Sequence, residues 1–147
     1  MPGSSQRRTL NYNAEDLFNL VLDIENYPEF IPYCSASRII SKNNNKIVAD
    51  LVIRYKFFND TFRSYVEYDI KNLIISVKYS EGPLKSLYTN WKFNKLSKDK
   101  TLIIFDIEVN FKFNLLNKFL KNFYNSIENK LIANFEKRAD KILGNKI

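Results

Sequence analysis

The chain has 147 residues, 45% hydrophobic and 15% aromatic. That is enough to bury about 70% of the unfolded surface in one core, and too apolar for intrinsic disorder. One cysteine (Cys34) and no histidine exclude a disulfide framework, a four-thiolate metal site and every Ser-His or Cys-His nucleophile pair. The net charge of +7, from 23 basic and 16 acidic residues, turns attention to anionic partners.

In chain order, Ser5–Leu10 reads as a strand. Asn13 caps a short helix whose apolar residues Ala14, Leu17, Phe18, Val21 and Leu22 fall at helical spacing. A second short helical turn, Tyr27–Ile31, is stopped by Pro32. Ala36–Ser41 reads as a strand. From there the apolar period is two: Ile47, Ala49, Leu51, Ile53, Tyr55 and Phe57; then Phe62, Val66, Tyr68 and Ile70; then Leu73, Ile75, Val77 and Tyr79; then Leu87, Thr89, Trp91 and Phe93; then Ile103, Phe105, Ile107, Val109, Phe111 and Phe113. Such alternation predicts an antiparallel sheet with one covered face. Glycine occurs only at 3, 82 and 144, so the turns fall to Asn and Asp at 43–45, 59–60, 71–72 and 98–99. A long helix over roughly 116–143 carries apolar residues in steps of four, from Leu115 through Phe119, Phe123, Ile127, Leu131, Phe135 and Ala139 to Leu143. Each step drifts about 40°, so the stripe winds and demands a twisted, curved partner surface. The predicted fold is α+β: about seven curved antiparallel strands gripping a long C-terminal helix, with two short helices after the first strand, in one domain spanning 1–147.

No apolar run approaches the roughly 18 residues of a membrane span, and the N-terminus lacks the apolar stretch of a secretory signal. The charge has two readings. Of the basic residues 6 are Arg and 17 Lys, beside 19 Asn and 16 Ile. Lys, Asn and Ile all have A/T-rich codons, so base composition could have drawn Lys onto a neutral surface. Alternatively, the seven basic against three acidic residues of 114–147 mark an anion-facing surface. No exposed aromatic stacking motif stands out.

A curved sheet closed by a helix encloses a space suited to an apolar ligand. The residues expected to face it are Tyr55, Phe62, Val66, Tyr68, Trp91, Phe105, Phe119 and Phe123, which could equally be ordinary core. Pro28 and Pro32 stiffen a loop presenting Phe30, Ile31 and Tyr33, either as a ligand gate or as a plug. Lys85, beside Leu84 and Leu87 after the Gly82-Pro83 turn, suits an anionic headgroup or a phosphate, or is simply solvated. Cys34 reads as a small buried hydrophobe. Asp50, Asp69 and Asp106 fall opposite the apolar stripes. No acid–base pair converges on the interior, so catalysis and a metal site are not expected.

Tyr27-Pro28-Glu29-Phe30-Ile31-Pro32-Tyr33-Cys34, preceded by Val21–Glu25, resembles the signature after the first helix of coenzyme Q-binding START-like proteins. Glu81–Leu87 followed by Asn90-Trp91-Lys92-Phe93 resembles their second signature, and Ala133–Ala139 the end of their C-terminal helix. Tyr33 and Leu84 stand where such proteins often carry Trp and Phe. These proteins lie in the polyketide cyclase/dehydrase and lipid-transport superfamily, alongside proteins similar to bacterial ribosome-association toxins. The resemblance implies a helix-grip fold and non-enzymatic binding of ubiquinone or a similar isoprenoid lipid, as a carrier supporting respiration. The ligand would lie against Phe30, Ile31, Pro32, Tyr33, Tyr55, Phe62, Val66, Tyr68, Leu87, Trp91, Phe105, Phe119 and Phe123, with Lys85 at its headgroup. The chain would be cytoplasmic, in transient contact with an anionic inner membrane. The alternative it implies is a ribosome-binding inhibitor of subunit association, contacting rRNA rather than DNA.

Overall fold

The computed structural model describes residues 3–55, 58–80, 84–111 and 117–144; within these spans the side chains of 3–4, 55, 58, 80, 84–85, 110–111 and 117–129 fall outside the description. Seven strands are present among the described residues: β1 (Gly3–Leu10), β2 (Cys34–Asn43), β3 (Lys46–Tyr55), β4 (Phe58–Asp69), β5 (Ile74–Ser80), β6 (Leu84–Ser97) and β7 (Lys100–Phe111). They form one antiparallel sheet in the order β1-β7-β6-β5-β4-β3-β2. The first two strands are its opposite edges. The chain crosses between them through α1 (Ala14–Leu22) and a 3-10 turn (Ile24–Glu29), and ends in α2 (Asn117–Leu143).

The alternation seen in the sequence becomes two faces. The face towards the helices buries Ile47, Ala49, Leu51 and Ile53 of β3, Phe62, Val66 and Tyr68 of β4, Ile75 and Val77 of β5, Trp91 and Phe93 of β6, and Ile103, Phe105, Ile107 and Val109 of β7. At about 1.5–3 kcal/mol per fully buried side chain, this face dominates the stability. Two buried hydroxyls among it are satisfied by backbone: Ser64 donates to the Ala49 carbonyl at 3.1 Å and Thr101 to the Tyr12 carbonyl at 2.8 Å.

α1 starts where Asn13 accepts a hydrogen bond from the Asp16 amide at 3.1 Å, and it buries Ala14, Leu17, Phe18, Leu20 and Val21. The 3-10 turn begins three residues before the turn expected at Tyr27–Ile31, with Pro28 inside it. One expected turn is corrected. β3 pairs with β4 from Tyr55↔Phe58 onward, so Asn59 and Asp60 lie inside β4 and the reversal precedes them. Cross-strand pairing of the flanking apolar residues outweighs the turn preference of an Asn-Asp pair. Ile70, assigned to the inner face of β4, lies in the following turn and is 69% exposed.

The tail of α2 is fastened to the β1 side. Arg8 pairs with Glu136 at 2.7 Å, and the Tyr12 hydroxyl donates to Asp140. Its inward residues are Ile132, Phe135, Arg138 and Ala139. Gly144 closes the helix, its amide donating to the Ala139 and Asp140 carbonyls; a Cβ there would stand 2.4 Å from the Asp140 oxygen.

Candidate functional site

The residues between Asp23 and Cys34 fold against α2 and the sheet to form an aromatic seam. Phe135 of α2 is its centre: its ring meets Tyr27 at 5.8 Å, Phe30 at 5.1 Å and Trp91 of β6 at 4.9 Å, all edge-to-face. Trp91 in turn lies 4.4 Å from Phe105. Such geometries are favourable beyond the area they bury. One turn further along α2, the Arg138 guanidinium sits 5.0 Å over the Phe30 ring and donates to Glu29 at 3.2 Å. Arg138 is only 8% exposed, and its Nε–H has no hydrogen-bond partner among the described residues. Lys130 lies 5.8 Å over the Tyr33 ring. Tyr33 itself takes φ 68°, a left-handed conformation that a bulky side chain adopts at a cost of about 1–3 kcal/mol, where the chain turns into β2.

Phe30, Ile31, Pro32 and Tyr33 are therefore half-buried at this seam, with Trp91 and Phe105 buried behind it. Val66 lines a void of ≈10 Å³ beside Val21, Ile24, Tyr27, Ser64, Ile75, Val77 and Tyr79. That is about the room one water needs. Phe62 is buried and Leu87 half-buried on the same sheet face. Tyr68 is elsewhere. It meets Phe18 of α1 at 6.2 Å and donates to the Asn44 carbonyl, so it packs the α1 end of the core and not the seam. The side chains of Tyr55, Lys85, Phe119 and Phe123 lie outside the described residues. Glu29, Tyr27, Phe135 and Arg138 were missed as site residues, although the motifs carrying the resemblance contain all four. A lone Arg three residues after a Phe on a helix was the available signal.

Among the carboxylates set aside as bases, Asp50 is held by Arg63 at 2.8 Å on the outer face; that hydrogen bond keeps its carboxyl below the ordinary range. Burial pushes the Cys34 thiol up to about 11, so the thiolate is scarce at neutral pH. Burial likewise raises the Tyr27 phenol, which donates to the Val21 carbonyl, and the Tyr79 phenol well above their ordinary value. A folded-state pKa above the unfolded one gives stability that is complete below the unfolded value and lost as pH rises through the folded one. Urea unfolding should therefore show stability level up to about pH 8.5, then falling progressively through pH 9–11. Tyr27→Phe should flatten the fall above pH 10.

A long helix held in a curved seven-stranded antiparallel sheet, with short helices after the first strand and an apolar interior, defines the helix-grip, START-like class. Over 97% of its length the chain superposes on 95% of the ZhuI aromatase/cyclase from a Streptomyces species, with a TM-score of 0.86 at 11% identity, a likeness of fold alone. Residues 10–136 match the family described as polyketide cyclase / dehydrase and lipid transport, and the chain belongs to that family. The family's description spans cyclases and dehydrases as well as lipid transport. The chain is 36% identical to the ribosome association toxin RatA of Rickettsia prowazekii, covering 92% of this chain and 94% of that one. It is 25% identical to the mitochondrial coenzyme Q-binding protein of Drosophila melanogaster, over 92% of this chain and 59% of that one. Among the described residues, no helix is long and apolar enough to cross a membrane.

Proposed function

We propose that the chain is a non-catalytic, single-domain binding protein directed to the ribosome. The observation that carries this reading is its 36% identity, over nearly the full length of both chains, to a protein named for ribosome association. One further feature supports it. The charge of +7 suits a phosphate-rich partner. The test is sedimentation of the purified protein with Escherichia coli ribosomes and subunits at rising salt. Co-migration at 50 mM salt that falls away steeply by 200–300 mM is expected, because displaced counterions set the affinity. Absent or salt-insensitive association overturns the reading.

A second reading, a carrier of ubiquinone or a similar isoprenoid lipid, is favoured by the coenzyme Q-binding relative and by the seam. There an unpartnered Arg138 N–H stands beside Phe30, available to a ring oxygen. The quinone would lie against Phe30, Ile31, Pro32, Tyr33, Leu87 and Trp91, its tail leaving between the proline turn and α2, with Lys85 meeting a headgroup. Such a carrier would work in the cytoplasm and touch an anionic membrane in passing. Organic extraction of native protein, then mass spectrometry, tests it. Stoichiometric quinone supports the carrier, and an empty extract after incubation with quinone-loaded vesicles removes it.

A further inference from the structure

The sheet's outer face, away from α2, carries an arrangement that neither reading above uses. Pairing across strands sets Val48 of β3, Tyr65 of β4, Lys78 of β5, Tyr88 of β6 and Glu108 of β7 in one row. Tyr65 is 44% exposed, the only exposed large aromatic among the described residues. Lys78 is exposed and makes no ion pair among the described residues. The Tyr88 hydroxyl donates to Ser76 at 3.4 Å, so its ring leans across β5 towards Ser76, two residues along the strand from Lys78. Neighbouring strands stand about 4.8 Å apart, which places the backbones of Tyr65 and Tyr88 about 10 Å apart with Lys78 on the strand between them. A groove of ≈520 Å³ runs here, lined by Lys46, Val48, Tyr65, Glu67, Ser76, Lys78 and Tyr88. Its carboxylate, Glu67, is matched by Lys46 at 3.6 Å, leaving Lys78 as the groove's net positive charge, while the exposed Glu108 lies on the far side of Tyr88. Lys92, exposed and four residues along β6 from Tyr88, adds a second cation on the same face.

We infer that this outer sheet face is a docking platform for a single-stranded RNA segment, with bases stacking on Tyr65 and Tyr88 and phosphates meeting Lys78 and Lys92. The inference rests on the ribosome-directed reading and names the surface and the chemistry by which it acts. Flat aromatic faces interleaved with lysines on an open sheet are how sequence-tolerant single-strand binders work: every base offers a π-face, and cations between the rings reach the backbone. A duplex would not fit this scheme, because its bases are already stacked. A tyrosine ring 44% exposed on an open sheet face suits a partner that brings its own ring.

The test uses the full chain with three probes: Escherichia coli ribosomes by sedimentation, fluorescein-labelled dodecauridine by anisotropy, and a 12-base-pair RNA duplex. Wild type should bind ribosomes and dodecauridine and discriminate against the duplex. Tyr65→Ala and Tyr88→Ala should each weaken both single-strand and ribosome binding about tenfold, the effect of one lost stacking contact. Tyr65→Phe, which keeps the ring, should bind within about twofold of wild type. Lys78→Ala should lower the slope of log affinity against log salt by about 0.7. Tyr65 is surface-placed, so an unchanged thermal midpoint separates lost contact from lost fold. If wild type binds ribosomes and the tyrosine variants bind equally well, the platform is wrong while the ribosome reading stands. If Tyr65→Ala loses ribosomes but wild type ignores dodecauridine, the face meets a ribosomal protein and the RNA assignment falls. If wild type binds no ribosomes, the underlying reading itself has failed.

Discussion

Replacing Phe135 by alanine should destabilise the protein by about 3–5 kcal/mol, the cost of truncating a buried aromatic. Its side chain is 5% exposed and joins three parts of the chain: Tyr27 and Phe30 of the proline turn, Trp91 of the sheet, and α2 itself. None of these can collapse into the gap without losing another contact. Tyr27 is fixed by its bond to the Val21 carbonyl, and Trp91 is held against Phe105 and Phe93. The loss adds a cavity term to the transfer term. The midpoint of thermal unfolding should fall by about 10 °C or more. Phe135→Leu should cost less than half as much, because most of the volume remains. A second readout tests whether the loss is a cavity or a detached turn. A closed apolar cavity binds benzene, so benzene should raise the melting point of the alanine variant and leave wild type unmoved. A loss under 1 kcal/mol would mean that the proline turn is not seated on α2.

The alternating strands were legible because the inner face is apolar at nearly every second position, and a one-residue slip would expose all of it. The N-cap at Asn13 and the extent of α2 followed for equally local reasons. The seam was harder to see. Counting α2 in steps of four passed over Ile132, which is 1% exposed, because 3.6 residues per turn bring alternate steps of three onto the inner face. Arg138 was passed over because an arginine within a basic helix reads as a solvent residue. Only the tertiary approach of Phe30 and Glu29 makes its burial tolerable. Tyr33 was assigned to the site by resemblance, yet nothing local predicts that it carries the left-handed conformation that ends the proline turn. The outer row was available by parity: Tyr65 lies three residues after Phe62 and so faces away from it. That it is uncovered is a property of the assembled sheet, visible only when β3, β4, β5 and β6 are placed side by side.

Removing the charge on Glu29 should cost more than removing the charge on Arg138, although Glu29 is the more exposed partner. Arg138 is 8% exposed and Glu29 55%. Among the described residues, the guanidinium has given up most of its water for one 3.2 Å hydrogen bond, the face of Phe30 and an Nε–H with no partner. In Glu29→Gln that desolvated cation stays behind without its counter-charge, and a destabilisation of about 1–2 kcal/mol is expected. Water around Glu29 keeps the figure below the roughly 3–5 kcal/mol of a fully buried pair. In Arg138→Met both the charge and the orphan donor disappear while the aliphatic volume over Phe30 remains. The expected change is within about 1 kcal/mol of wild type, of either sign. Arg138→Ala should destabilise by about 2–4 kcal/mol, since the stem that packs beside Phe30 goes as well. Urea unfolding of the three variants decides the order. If Arg138→Met proves as costly as Arg138→Ala, the guanidinium is a structural requirement and its free N–H is incidental. If Arg138→Met is neutral, the buried cation persists for something other than stability. The same variant then tests the quinone reading directly: a thermal shift from ubiquinone-loaded vesicles that survives in wild type and vanishes in Arg138→Met would assign that N–H to the ligand's oxygen.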